Sequence, residues 1–207
     1  MTLKMLPAAA LALFAAAPAF ATTIDFESVS SFASINEFYN GGTDSVGASG
    51  PNLGFSFTGD ALGFVNDGIS AGFSNAPSPI GVMAPVGPDA TLNVAAGFKD
   101  LLGFYYSVAT PGTVEVHAGL NGTGALLASV ALGNNAQSNG CSDSAFCNWT
   151  QALLGFSGVA HSVTFGGVAG NAFDNISVTP VPEPSTMLLM AFGLAGLVGL
   201  DWARRRA

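Results

Sequence analysis

The sequence predicts an all-β protein, a jelly-roll-like antiparallel β-sandwich flanked by an N-terminal signal peptide and a C-terminal single transmembrane helix. Three observations predict the sandwich. Apolar segments in the middle of the chain are short, and turns rich in glycine, serine and asparagine separate them, with 27 glycines in 207 residues. No long stretch there repeats its apolar residues at the 3.6-residue period of an amphipathic helix. Several segments alternate polar and apolar residues, as a half-buried strand must when successive side chains point to opposite faces.

Met1 to Ala21 has the build of a secretory signal peptide. Lys4 supplies the positive start, Ala8 to Ala17 the apolar run, Pro18 a break, and Ala19-Phe20-Ala21 the small-x-small cleavage pattern. Cleavage there exposes Thr22 and leaves residues 22–179 as one domain, the length of a typical single core.

Thr23-Ile24-Asp25-Phe26-Glu27 alternates, so it reads as a first strand with Ile24 and Phe26 inward. Residues 38–52 are polar and glycine-rich and read as a long loop. Alternation resumes over Leu53 to Thr58, and Ala61 to Val65 follows the Gly59-Asp60 turn. Four prolines (Pro77, Pro79, Pro85 and Pro88) make residues 66–88 mostly loop, with a short strand near Ile80 to Met83. Thr91 to Phe98 and Leu101 to Val108 read as two strands, the second apolar enough to be buried on both faces. Thr113 to Ala118 and Ala125 to Leu132 flank an Asn121-Gly122-Thr123-Gly124 turn. Trp149 to Leu154, Ala160 to Phe165 and Ala172 to Thr179 supply the closing strands. About ten strands in one domain suggest two packed sheets.

A polar loop before Trp149 carries the two cysteines, Cys141 and Cys147. Export places them in an oxidising compartment, where a disulfide is expected; two cysteines without neighbouring histidines do not make a zinc site.

Residues 180–207 are built differently. Pro182-Glu183-Pro184 interrupts regular structure, an uncharged apolar run spans Met187 to Leu200, and Arg204, Arg205 and Arg206 end the segment. Three arginines after an apolar run favour the cytoplasmic side of a membrane. Fourteen helical residues reach only about 21 Å against a hydrocarbon core of about 30 Å, so the span must draw on its flanks. Trp202 suits the interface, and Asp201 must snorkel.

In that order, motif, apolar helix and basic tail, the segment resembles the PEP-CTERM sorting signal of Gram-negative bacteria. The resemblance implies a substrate of exosortase, a membrane processing enzyme. It further implies a chain exported through the secretion translocon, anchored transiently in the inner membrane, then delivered to the cell surface or exopolysaccharide matrix. The body is similar to the β-sandwich region of such proteins at Ile24-Asp25-Phe26-Glu27, Tyr39-Asn40-Gly41-Gly42-Thr43, Gly112-Thr113-Val114-Glu115-Val116, Asn121-Gly122-Thr123-Gly124 and Phe173-Asp174-Asn175-Ile176.

Charge narrows the partners. Between Thr22 and Thr179 there are eleven acids and one base, Lys99, a net of −10; the whole-chain value of −8 hides this, because the other bases lie in the end segments. Such a body lacks the cations that neutralise phosphate, which argues against nucleic acid.

Three constellations are candidates for chemistry. Asp25 and Glu27 on the first strand, with Asp174 and Asn175 on the last, would meet if those strands pair, and hard oxygen ligands suit a structural calcium ion. The alternative is that these acids face water. Phe38, Tyr39, Tyr105, Tyr106 and Trp149 offer aromatic surfaces for a sugar, with Asn40, Asp44, Asn52, Asp60, Asn66 and Asp67 as hydroxyl partners; the alternative is that they pack the core. Catalysis has little to draw on. His117 and His161 lie in no recognisable motif, the chain has no nucleophile elbow or zinc-protease helix, and an acid pair such as Asp60 and Asp67 is common in acidic sandwiches. The expectation is a non-enzymatic surface or matrix protein. A carbohydrate-binding module is the alternative, and a secreted hydrolase a third.

Overall fold

Short apolar segments with turn residues between them can satisfy their backbone groups only by pairing with one another, and among the described residues they do so in nine strands. The computed structural model describes residues 21–69, 72–166, 170–181 and residue 193. The expected signal peptide before Ala21, Pro182-Glu183-Pro184, the membrane helix and Arg204 to Arg206 lie outside the described residues. Among the described residues no helix is long and apolar enough to cross a membrane.

The strands are β1 (Thr22–Ile24), β2 (Phe55–Phe57), β3 (Ala61–Val65), β4 (Gly81–Pro85), β5 (Thr91–Val108), β6 (Gly112–His117), β7 (Leu126–Leu132), β8 (Thr150–Gly166) and β9 (Asn171–Pro180). All the pairings between them are antiparallel, in the order β3-β4-β9-β5-β8-β6-β7, with β1 on β9 and β2 on β5. The first and last strands pair as expected, Ile24 opposite Ile176 and Thr22 opposite Val178.

Two long strands make this a sandwich. The start of β5, at Leu92 and Asn93, lies between β2 and the end of β8. Its second part, Phe98 to Val108, lies between β9 and the start of β8. Register shifts between Asn93 and Phe98, and between Lys99 and Leu101, mark where β5 turns from one layer into the other. The separate strands expected over 91–98 and 101–108, and over 149–154 and 160–165, are thus halves of β5 and β8. The physical reason lies at the junction. Gly97 (φ 82°) and Asp100 (φ 71°) take left-handed conformations that bulge the strand without ending it. A side chain at Gly97 would also press on Val159, its Cβ 2.6 Å from the valine Cγ1.

Aromatic burial holds the layers together. Phe26, Phe38, Phe55, Phe98, Phe104, Phe165 and Phe173 are fully buried, and each such side chain contributes about 1.5–3 kcal/mol by leaving water. Phe165 on β8 meets Phe173 on β9 with ring centroids 4.7 Å apart, and both touch Phe104.

Candidate functional site

The densest polar cluster sits where β1 ends, beside β9 and β4. Alternation predicts Asp25 and Glu27 side by side on a continuing strand. Instead β1 stops at Ile24, and Phe26 turns left-handed (φ 60°) with its ring in the core. The turn itself brings the acids together, with Glu27 N–H donating to Asp25 Oδ1 at 3.3 Å. Gly81 is required here, because any Cβ would collide with the Phe26 carbonyl oxygen.

Asp174 on β9 is completely buried. Ser78 N–H donates to Asp174 Oδ2 at 2.7 Å, and the Ser78 hydroxyl reaches Oδ1 at 2.7 Å. Asn175 N–H donates to the same Oδ1 at 2.7 Å. Ser78 Oγ also lies 2.8 Å from the Asp25 carbonyl oxygen. Glu27 Oε1 accepts from Ile80 N–H at 2.8 Å and Gly81 N–H at 3.1 Å. These acids thus clasp the proline-rich 66–80 segment to the paired terminal strands.

The electrostatics fit this use. Burial pushes the Asp174 carboxyl up to about 6, against the opposing hydrogen bonds from Ser78 and Asn175, and the nearby charge of Glu27 adds to the rise. Tyr39 is also buried. Burial, then the charges of Asp25 and Asp174, raise its ionisation well above the usual phenol range.

Of the four expected calcium ligands, Asp25, Glu27 and Asp174 gather at this end of the sandwich, and Asn175 contributes its main-chain N–H. Among the described residues, no group of three or more His, Cys, Asp or Glu side chains is arranged to hold a metal ion. The acceptor positions of Glu27 Oε1 and Asp174 are met by N–H and O–H donors.

The expected sugar-binding aromatics are dispersed. Phe38 and Tyr39 are in the core, in edge contact with each other at 5.0 Å. Tyr106 packs against the core, and Trp149 is half-buried with its Nε1–H donating to the Ser74 carbonyl at 2.9 Å. Asp60 accepts from Asp89 N–H, and Asp67 from Ile69 N–H. His117 Nε2 lies 3.3 Å from Glu115 Oε2.

Two roles escaped the sequence reading, that of Ser78 and that of Asp44, expected only as a sugar-hydroxyl partner. Ser78 is one serine in a turn-rich segment, and nothing local marks it as the partner of a residue 96 positions away. Asp44 organises the first long loop: its Oδ1 accepts from Val46 N–H at 3.0 Å and Ala48 N–H at 2.9 Å, and its Oδ2 from Ser30 N–H at 3.0 Å. Burial opposes ionisation of Asp44, but the hydrogen bonds from Ser30, Ala48 and Val46 outweigh it and hold the carboxyl below its usual range. The Asp-Ser-Val-Gly sequence, a turn with an aspartate at its head, is the signal that could have found it. The expected disulfide is present, joining Cys141 to Cys147 with a Cα–Cα distance of 5.8 Å.

Residues 180–206 match the family model of the PEP-CTERM protein-sorting motif. No curated protein sequence matches the chain. Among solved structures, the chain is similar to the K1 cleaved adhesin domain of Lys-gingipain from Porphyromonas gingivalis W83, at 12% identity and TM-score 0.48, covering 79% of this chain and 99% of that one. The K2 cleaved adhesin domain of Lys-gingipain gives 12% identity and TM-score 0.47, covering 77% and 99%. A family 29 carbohydrate-binding module from Piromyces equi gives 12% identity and TM-score 0.40, covering 79% and 92%.

Proposed function

We infer that this chain, which carries a PEP-CTERM sorting motif over residues 180–206, is a surface-delivered structural protein whose β-sandwich serves the extracellular matrix. The motif implies export, processing by exosortase at the membrane, and delivery to the surface. The matrix role, the association with exopolysaccharide and the absence of catalysis are the further steps of the proposal.

The observation that carries the reading is the motif itself, placed directly after the last strand of an all-β body. What supports a structural role is how that body uses its polar side chains. Glu27 and Asp174 accept hydrogen bonds that fasten loops to strands, Asp44 fastens one loop segment to another, and the aromatic pair Phe38 and Tyr39 is committed to packing. This favours a matrix component over a sugar-binding module.

The test is to follow a tagged chain in cells that have or lack exosortase. Surface recovery that depends on both the enzyme and residues 180–206 supports the proposal. A soluble cytoplasmic pool, or hydrolysis of matrix polysaccharide by the purified chain, overturns it.

A further inference from the structure

The chain leaves the body at one corner. Val181, one residue past β9, donates its N–H to the Gly97 carbonyl at 2.9 Å. Just before it, Pro180 stands opposite Phe98 of β5 and Thr179 opposite Lys99. On the other side of β5, Phe98 and Lys99 stand opposite Ala160 and Val159 of β8. Thr22, which starts β1, pairs with Val178. The bulge of β5, the middle of β8, the start of β1 and the end of β9 therefore meet where residues 182–206 depart.

Two properties set this corner apart. The first is charge. In residues 21–24, 95–101, 153–160 and 177–181 only Lys99 and Asp100 are charged, and they face each other at 4.0 Å. The corner is thus neutral on a body of net charge −10. The second is exposed apolar surface. Leu101 is 42% exposed, Val159 45% and Leu153 64%. Alternation with the buried Leu102 and Phe104 turns Leu101 and Gly103 outward. Leu153 stands opposite Gly103 and lies across it, its Cδ2 3.3 Å from where a Cβ would be. Exposed aliphatic side chains are ordinary singly, but three in one neutral corner make a patch that fits a partner.

We propose that this corner rests on the lipid bilayer while the chain is anchored, with Leu101, Leu153 and Val159 seated in the headgroup region. The proposal builds on the reading of residues 180–206 as a membrane-processed sorting motif. Chain length supplies the occupant. Five residues, 182–186, separate Val181 from the apolar run that starts at Met187, and fully extended they reach at most about 18 Å. An anchored run therefore holds the exit corner close to the lipid. Charge then sets which way the body lies. Its acidic surfaces are repelled by lipid phosphates, and the neutral corner is not. Apolar side chains at the headgroup boundary add affinity in proportion to the area they bury. Three such side chains bind weakly without an anchor, so the contact ends when processing cuts the chain.

Fluorescence quenching in the uncleaved full chain tests this. Both native cysteines are joined in the disulfide, so Leu153→Cys, Val159→Cys and Ala109→Cys each add a single free thiol for a fluorophore. Ala109 is the control: it is exposed and follows Val108, which stands opposite Asn171 at the far end of β9. The chain, made in cells without exosortase, is placed in vesicles of phosphatidylcholine that carries a nitroxide quencher below its headgroup. Fluorophores at 153 and 159 are expected to lose emission to the nitroxide, and the one at 109 to keep it. Urea midpoints equal to that of the parent show that the labelled bodies are intact. A chain held by the vesicles with all three probes unquenched, or all three quenched alike, overturns this proposal alone. A chain that the vesicles do not hold overturns the membrane reading of residues 180–206 as well.

Discussion

Ser78 and Asp174 are joined twice across 96 positions of chain, main-chain N–H to Oδ2 and hydroxyl to Oδ1, each at 2.7 Å. Through the same hydroxyl Ser78 also reaches the Asp25 carbonyl at 2.8 Å. One serine therefore ties a proline-rich segment to both the first-strand turn and the last strand.

Ser78→Ala should destabilise the body by about 1–3 kcal/mol, because it removes the one hydroxyl proton that the buried Asp174 carboxylate and the Asp25 carbonyl share as acceptors. Urea unfolding reads this as a lower midpoint with an unchanged slope. A midpoint equal to that of the parent would show that the clasp contributes nothing.

Asp174 should also make stability depend on pH. Its carboxyl titrates at about 6 in the folded chain and near 4 when unfolded. The folded state thus binds the proton more tightly. By itself this group contributes stability that is present below pH 4 and lost as pH rises through about 6, a span worth about 3 kcal/mol. Asp174→Asn should flatten the stability profile over that window relative to the parent. Parallel profiles for the two proteins would contradict the assignment.

Asp44 works in the opposite direction. Its carboxyl is held below the usual range, so its stability is present above pH 4 and lost as pH falls further. Asp44→Ala leaves the Ser30, Val46 and Ala48 N–H groups without their acceptor and should cost about 2–3 kcal/mol at neutral pH. Hydrogen exchange would place the added opening at residues 30–48; faster exchange spread evenly over the body would argue against a local role.

The fold was largely legible because the period-2 alternation that buries Phe55 and Phe57, or Val114 and Val116, is written locally. The strands expected over 91–98 and 101–108, and over 149–154 and 160–165, merged in pairs because at the β5 junction the ladder continues past an outward-facing bulge at Lys99 and Asp100. The pairing of β1 with β9 followed from jelly-roll topology and brought Asp25, Glu27 and Asp174 to one end. Their partners were not legible, since Ser78, Ile80 and Gly81 meet them through contacts more than 50 positions apart. Phe26 shows the limit in one residue. It is inward as alternation predicts, but through a left-handed turn rather than a strand.

Reducing the Cys141–Cys147 bond should cost about 2 kcal/mol, the loop-closure entropy of so short a ring. The effect should centre on the loop's two anchors: Ala136, which accepts from Cys147 and Asn148 N–H at 3.2 Å, and Phe146, whose main chain bonds to Gly72 and Ser74. Melting with and without reductant measures it. Complete unfolding on reduction would contradict a local role.

Divalent cations should matter little. With Asp174 and Glu27 Oε1 already accepting N–H and O–H donors, a chelator is expected to leave the melting midpoint unchanged. A midpoint that falls on chelation and recovers with calcium would support the ion the sequence suggested at Asp25, Glu27, Asp174 and Asn175.

The central claim, delivery to the surface through residues 180–206, is tested most directly by intact-mass measurement of the chain recovered from the cell exterior. The account predicts a mature chain that begins at Thr22 and ends within or beside Pro182-Glu183-Pro184, without Arg204 to Arg206. A chain recovered with its arginine tail intact, or still carrying residues 1–21, would contradict it.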